Sequence, residues 1–488
     1  MTDDANAFLD RAFDALAAGR NAAGAHAARR AAALAPAAPL PLILLGAALA
    51  QNGDAAAGAL ALGRALTVNP ANAAARGQLA LALLQSGAQV QADGQARLAL
   101  IYGPDAADAS EACGLIAYHR ADYAAAVVKL LRAHRLRPEK TETLLSLGSA
   151  LRDARLFDAA ETVFSAAIAR RPDWRDGWLG RAVTRLVRGD LQNGWDDFEH
   201  RWKRPTPGPE WDGRRLNGET LLIHAEQGFG DAIQFARFAP LAADRGARVV
   251  MEVHPALTRL LRRLDPRVEI HPSDQSPPPF DLHCPIMSLA RLFSATLDNL
   301  PAPPFYLTPD PDEAAAAAAA VKAADKRAET TLNVGLCWAG NPAHKNDHNR
   351  SIPPALLREL LATRGVAFWS LQTGDAAAAL PAEQRAQLRP PPFPLTDFAA
   401  TAALIAALDV VVTVDTALAH LTGALGVPCR VLLPYAPDWR WLIDRADTPW
   451  HPSLRLIRQQ RPGDWDGVIR QISALLAGAA RNRVNPSP

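Results

Sequence analysis

Two textures of apolar and polar positions divide this chain of 488 residues, and they meet near residue 205. Before that point, small residues recur on a fixed ruler. Pro36, Pro70, Pro104, Pro138 and Pro172 stand 34 residues apart. Ala12, Gly46, Ala80, Gly114 and Gly148 stand 24 residues before them, and Gly24, Gly58, Ala92, Ala126 and Ala160 stand 12 before them. Ala31, Ala65, Ala99, Ala133 and Ala167 stand five before them. A 34-residue period is the length of one stacked helix–turn–helix unit. Small side chains let two helices approach, and a proline stops the second helix before the next unit begins. The ruler predicts five units over about residues 5–174. A sixth, degenerate one covers about 175–205, with Arg201 where a small residue is expected. A terminal unit is atypical because it faces something other than another repeat.

After residue 205 the period changes. The Pro- and Gly-rich stretch 204–213 reads as a linker or domain entry. Short apolar runs then alternate with amphipathic segments, the sign of parallel sheets with crossover helices. Strands are expected at 221–225, 247–253, 268–272 and 280–285, with helices at 232–246 and 254–264. A helical connector follows from Asp310. A second α/β unit is then expected, with strands at 332–340, 366–372, 409–414 and 429–434 and helices at 353–364, 397–408, 415–426 and 464–478. The predicted domains are helical repeats over 5–205, a first Rossmann-like unit over 215–308, a connector over 309–330 and a second Rossmann-like unit over 331–478. Two such units create a cleft between strand C-terminal edges, the default position for a ligand.

Bulk composition narrows the function. Lys plus Arg number 52 and Asp plus Glu 50, a net charge of +2, which argues against an electrostatic nucleic-acid binder. Four cysteines are scattered without metal-ligand spacing, which suits a reducing compartment. The first residues show no basic and apolar leader pattern, and no apolar run reaches membrane-spanning length. The expectation is a soluble, cytoplasmic protein.

Candidate chemistry falls on three loops. In 224–231, HAEQGFGD, a strand runs into a Gly-rich turn. Gly228 and Gly230 permit close approach of a ligand to the backbone. Asp231 is a candidate base for an acceptor hydroxyl, or only a helix N-cap, and His224 is a second candidate base. In 413–426, TVDTALAHLTGALG, Asp415 and Thr416 begin a helix whose first amides and dipole suit a diphosphate, with Ala417 next and His420 one turn inside. The loop 341–351, NPAHKNDHNRS, holds Asn341, His344, Lys345, His348 and Arg350, whose cations suit a leaving diphosphate. Gln372, at a strand end, is a candidate partner for a nucleotide base. The pairs Asp310/Asp312 and Asp464/Asp466 have Asp-x-Asp spacing, but each precedes a helical pattern and reads as a helix start.

The 34-residue units resemble the tetratricopeptide repeat (TPR). HAEQGFGDAIQFARF, VGLCWAGNPAHKNDHNRSI, VDTALAHLTGALG and LPYAPDWRWL together resemble the C-terminal domain of bacterial tetratricopeptide-repeat glycosyltransferases. That domain is similar to the heptosyltransferases and more distantly to the O-linked N-acetylglucosamine transferase. The resemblance implies a GT-B pair of Rossmann-like domains behind a TPR solenoid, with the first taking the acceptor and the second a nucleotide sugar. It implies Gly230–Asp231 as the general-base pair, and Asp415, Thr416 and His420 as the diphosphate segment, with Ala417 replacing a glycine of the family pattern. It also implies Lys345 as the lysine assisting the leaving group, and no metal or other cofactor. The expected acceptor is Ser or Thr of a protein recruited by the concave face of the repeats. Two alternatives stand beside it: an inactive TPR scaffold, and a transferase acting on a glycan or lipid-linked acceptor.

Overall fold

The computed structural model describes residues 1–325, 332–344 and 346–484. It divides into two compact units, Met1–Gly180 and Arg181–Pro488.

The first unit is a stack of helix pairs running from Asp3–Ala17 to Phe157–Arg170 and into Arg175–Arg188. Each ruler proline lies just past the second helix of a pair. The residue before it, Ala35, Asn69, Gly103, Arg137 or Arg171, caps that helix with φ between −134° and −151°. Proline disfavours helical backbone in its predecessor, so the chain is forced extended at the same place in every repeat. The ruler's small residues mark where helices touch. A Cβ on Gly58 would lie 2.7 Å from the Gly46 carbonyl, and one on Gly148 would lie 2.8 Å from the Phe164 ring. Ala12, Ala80, Ala92, Ala126 and Ala160 are fully buried.

The second unit contains two parallel sheets. The first has the order β3-β2-β1-β4, with β1 Thr220–His224, β2 Arg248–Val253, β3 Val268–Pro272 and β4 Leu282–Pro285. The second comprises β5 Leu332–Cys337, β6 Val366–Ser370, β7 Leu388–Arg389, β8 Val410–Val414, β9 Cys429–Leu433 and β10 Leu454–Arg458. Its order is β10-β9-β8-β5-β6-β7. Central strands β1, β5 and β8 are almost wholly buried, as strands covered on both faces must be. In each sheet the strand order reverses beside these strands, between β1 and β4 and between β5 and β8. Loops at such switch points open the crevice where α/β proteins bind ligands.

Several boundaries differ from the sequence reading. The segment expected as one helix over 353–364 is a 3₁₀ turn, Pro354–Leu356, followed by Leu357–Leu361. Strands β7, only two residues long, and β10 are not expected from the pattern. The stretch 204–213 is more than a linker: Glu210 bridges His283 of β4, Trp211 N–H donates to the His283 carbonyl at 2.8 Å, and Trp211 is buried. It covers the free edge of the first sheet. Arg201, where the repeat pattern broke, is buried and binds Glu226 beyond β1 and the Ser288 hydroxyl at 2.8 Å. The expected Asp-x-Asp helix starts hold: Asp310 accepts from the amides of Asp312 and Glu313, and Asp464 from that of Gly467.

Candidate active site

The loop after β1 is shaped by its own carboxylate. Gln227 takes φ 56°, a left-handed conformation unusual for a side-chain-bearing residue. Helix Phe229–Phe235 follows, with Gly228 as its N-cap. Asp231 is therefore not the N-cap but the third residue of the helix, and its Oδ2 accepts from the Gly228 amide at 2.8 Å. This one-sided cap holds one carboxylate oxygen and leaves Oδ1 for other partners.

That oxygen is taken by a residue beyond β9. Arg440 Nη2 donates to Asp231 Oδ1, an ion pair spanning the two sheets. Arg440 lies in the 3₁₀ turn Trp439–Trp441, is buried, and also binds Asp438 at 2.8 Å. Its guanidinium lies 4.1 Å over the Trp439 ring. Trp439 in turn packs edge-on against Trp195 at 5.3 Å, and the Trp195 indole donates to the Ala295 carbonyl at 3.0 Å. Burial disfavours the charged guanidinium, but Asp438 and then Asp231 outweigh it and hold its pKa above the ordinary arginine value. Beyond the turn, Leu442 and Asp444 take φ 53° and 55°. Backbone outliers thus flank both partners, a pattern that clusters at functional sites.

The helix after β8 starts against the same loop. Thr416 is the N-cap of Ala417–Ala424 and its hydroxyl accepts from the Leu418 amide at 3.3 Å. A Cβ on Gly230 would lie 2.9 Å from His420 Cδ2 and 3.4 Å from the Ala417 Cα. Gly230 therefore permits close packing of the two loops. The Asp415 carboxyl is pushed up to about 6 by burial and then by Asp438, with Trp441, Arg350 and Arg440 pulling the other way.

The structure brings Gly228, Gly230, Asp231, Asp415, Thr416 and Ala417 into one neighbourhood. Arg350 joins them: it donates to the Asp415 carbonyl at 3.1 Å and pairs with Asp347. Asn341 and His344 lie on the exposed rim of that loop, where partial desolvation of the His344 ring, then Arg350, lowers its pKa. Lys345 lies outside the described residues. Gln372 is mostly spent on the protein: its carbonyl oxygen accepts from the amides of Trp338 and Ala339 at 3.1 and 2.9 Å. Its amide nitrogen donates to the Thr373 carbonyl at a long 3.5 Å. His420 is a buried histidine with Nδ1 3.4 Å from His451 Nε2, stacked on Trp441, and held neutral by burial and by Arg440 and Arg237. It supports the loop from below. His224 is fully buried, 3.5 Å from the Thr206 hydroxyl and beside His283. Burial, then Arg204, lowers its pKa to about 3, so it is a poor proton acceptor. Arg440 and Asp438 are the residues that sequence reasoning missed. Their segment, PDWRW, stood out only as part of a matching motif.

Residues 358–459 match the family Glycosyltransferase family 9 (heptosyltransferase). That span holds Asp415, Thr416, Asp438 and Arg440. The chain is 27% identical over 409 residues to Protein FlbA of Caulobacter vibrioides (strain ATCC 19089 / CIP 103742 / CB 15), covering 76% of this chain and 67% of that protein. Among solved structures it resembles TTC0263, a thermophilic TPR protein of Thermus thermophilus, with TM-score 0.34 and 19% identity over 37% of this chain and 99% of that one. It also resembles the Cut9–Hcn1 hetero-tetramer of APC/C, with TM-score 0.36 and 15% identity, over 40% of this chain but only 39% of that one. A C-terminal span that matches glycosyltransferase family 9 therefore follows an array of paired helices with a 34-residue period.

Proposed function

We propose that this chain is a metal-independent transferase of GT-B type, moving a sugar from a nucleotide donor to an acceptor hydroxyl. The carrying observation is that the Gly228–Asp231 loop packs on the start of helix Ala417–Ala424, with Asp231 paired to Arg440 beyond β9. A base for the acceptor and a helix start for the donor's diphosphate then lie side by side. The nucleotide sugar binds the second sheet, its diphosphate at Thr416–Ala417 beside Arg350, which donates to the Asp415 carbonyl, and Lys345 assists the leaving group. The acceptor enters from the first sheet, and Asp231 takes its proton. Positive charge for the leaving group comes from protein side chains. The repeats recruit the acceptor, Ser or Thr of a protein, and tethering raises its local concentration beside the cleft. The reaction belongs to the cytoplasm, where nucleotide sugars are made.

A thermal-shift panel of nucleoside diphosphates and nucleotide sugars tests this reading. One ligand is expected to stabilise the protein by about 2.7 kcal/mol at a hundred times its dissociation constant. No response to any donor sinks the reading in favour of a scaffold. Retained acceptor turnover after removal of residues 1–174, in a variant that still folds, favours a glycan or lipid-linked acceptor instead.

A further inference from the structure

We propose that Arg440 is a ligand of the donor diphosphate, and that Asp231 occupies the same guanidinium until the diphosphate displaces it; this rests on the sugar-transfer reading above. Four observations carry it. First, the guanidinium is placed and held: it is buried, stacked on Trp439, and clamped by Asp231 and Asp438. Second, it is not fully used. Arg440 Nε is buried and has no hydrogen-bond partner among the described residues. A guanidinium carries five N–H donors, and an unmet buried donor is costly unless something arrives to meet it. Third, the planar fork suits a diphosphate, which can take two parallel hydrogen bonds from it. Fourth, it sits beside the Asp231 loop that packs on Ala417, where the helix start offers amides to an anion.

The charge balance identifies which partner gives way. Asp231, Asp347, Asp415 and Asp438 surround Arg350 and Arg440, so an entering anion meets four carboxylates and two guanidiniums. Asp438 cannot leave easily. It lies two residues away and also caps the turn, accepting from the Arg440 amide at 3.0 Å. Asp231 reaches Arg440 from the other sheet through its side chain alone, and its second oxygen is already satisfied by Gly228. Asp231 is the exchangeable partner.

Displacement couples binding to chemistry. With the diphosphate on Arg440, the freed Asp231 oxygen accepts the proton of the acceptor hydroxyl. The acceptor oxygen bonds to the anomeric carbon, the bond from that carbon to the phosphate oxygen breaks, and its electron pair leaves on the diphosphate beside Arg440. A site without donor keeps its base paired.

Calorimetric titration of the full chain with inorganic pyrophosphate, and with the nucleoside diphosphate found in the panel, tests this. Arg440→Met is expected to weaken pyrophosphate binding by about tenfold or more. Asp231→Asn is expected to tighten it by about tenfold, because the competitor is gone. In the Arg440→Met background that gain is expected to shrink below about twofold, the non-additivity of a shared partner. Asp231→Asn with unchanged or weaker affinity overturns the proposal, as does a gain that persists without Arg440. Circular dichroism checks folding. Should Arg440→Met not fold, Arg440→Lys decides: it keeps the charge but loses the fork, and a loss of about threefold or more is expected, whereas wild-type affinity overturns the proposal. If the unmodified protein binds but these variants do not differ from it, only this inference falls. If the unmodified protein binds neither pyrophosphate nor any nucleoside diphosphate, the transfer reading falls with it.

Discussion

The solenoid of residues 1–180 and the two-sheet unit that follows use glycine for the same purpose, close approach, with different ends. Gly58 and Gly148 let one helix touch the next within a repeat, so each contact is local and recurs every 34 residues. Gly230 lets a loop of the first sheet touch a helix start of the second, across nearly two hundred residues of chain. A repeat spreads its packing over many similar contacts. A site concentrates its function in one.

The largest expected effect is chemical. Asp231→Asn is expected to lower sugar transfer by about 10² to 10⁴-fold while leaving the melting temperature within a few degrees, read by initial rates and calorimetry. Near-normal rates would remove Asp231 from the chemistry. Gly230→Ala sends a methyl to 2.9 Å from His420 Cδ2. Diphosphate affinity is expected to fall about tenfold or more, with little loss of fold, because the loop must lift off the helix start. The solenoid counterpart behaves oppositely. Gly148→Leu drives its side chain into the Phe164 ring and is expected to cost about 1–3 kcal/mol in denaturant unfolding of the repeats, with donor binding unchanged.

A smaller effect is set by pH. The Asp415 carboxyl titrates near 6 in the folded chain, above its usual 3.8, so the native state holds the proton more tightly than the unfolded one. Stability from this group is present below about 3.8 and is lost as the pH rises through 6. Asp415→Asn is therefore expected to stabilise the protein by roughly 1–2 kcal/mol at about pH 7.5, the gain shrinking as the pH falls toward about 4. A gain that does not vary with pH contradicts the assignment. The smallest effect is Gly63→Ala, inside helix Ala55–Val68, where a Cβ meets nothing within 4 Å. It is expected to stabilise by about 1 kcal/mol through helix propensity alone.

The same contrast explains what the sequence disclosed. The repeats were legible because proline sets the backbone before it and small residues set the crossings, both within one period. The strands β1, β5 and β8 were legible as buried apolar runs, and the loops that follow them as ligand positions. What was not legible depends on distant partners. Nothing around Gln372 signals that its carbonyl is consumed by Trp338 and Ala339, some thirty residues earlier. Nothing around Asp231 signals Arg440, 209 residues away. His224 reads as a base by type, yet only burial beside Arg204 and His283 shows that it holds a proton poorly. The edge-covering role of Trp211 is hidden in a stretch whose prolines and glycines read as a linker.

Sugar transfer at this site requires that the loop bearing Asp231 and the start of helix Ala417–Ala424 receive the same ligand. Amide hydrogen exchange, followed by mass spectrometry with and without the nucleoside diphosphate that binds best, measures this directly. Protection is expected in three segments together, 226–231, 415–420 and 438–442, with the rest of the two-sheet unit little changed. Protection confined to other segments, or to only one of the two sheets, would contradict it.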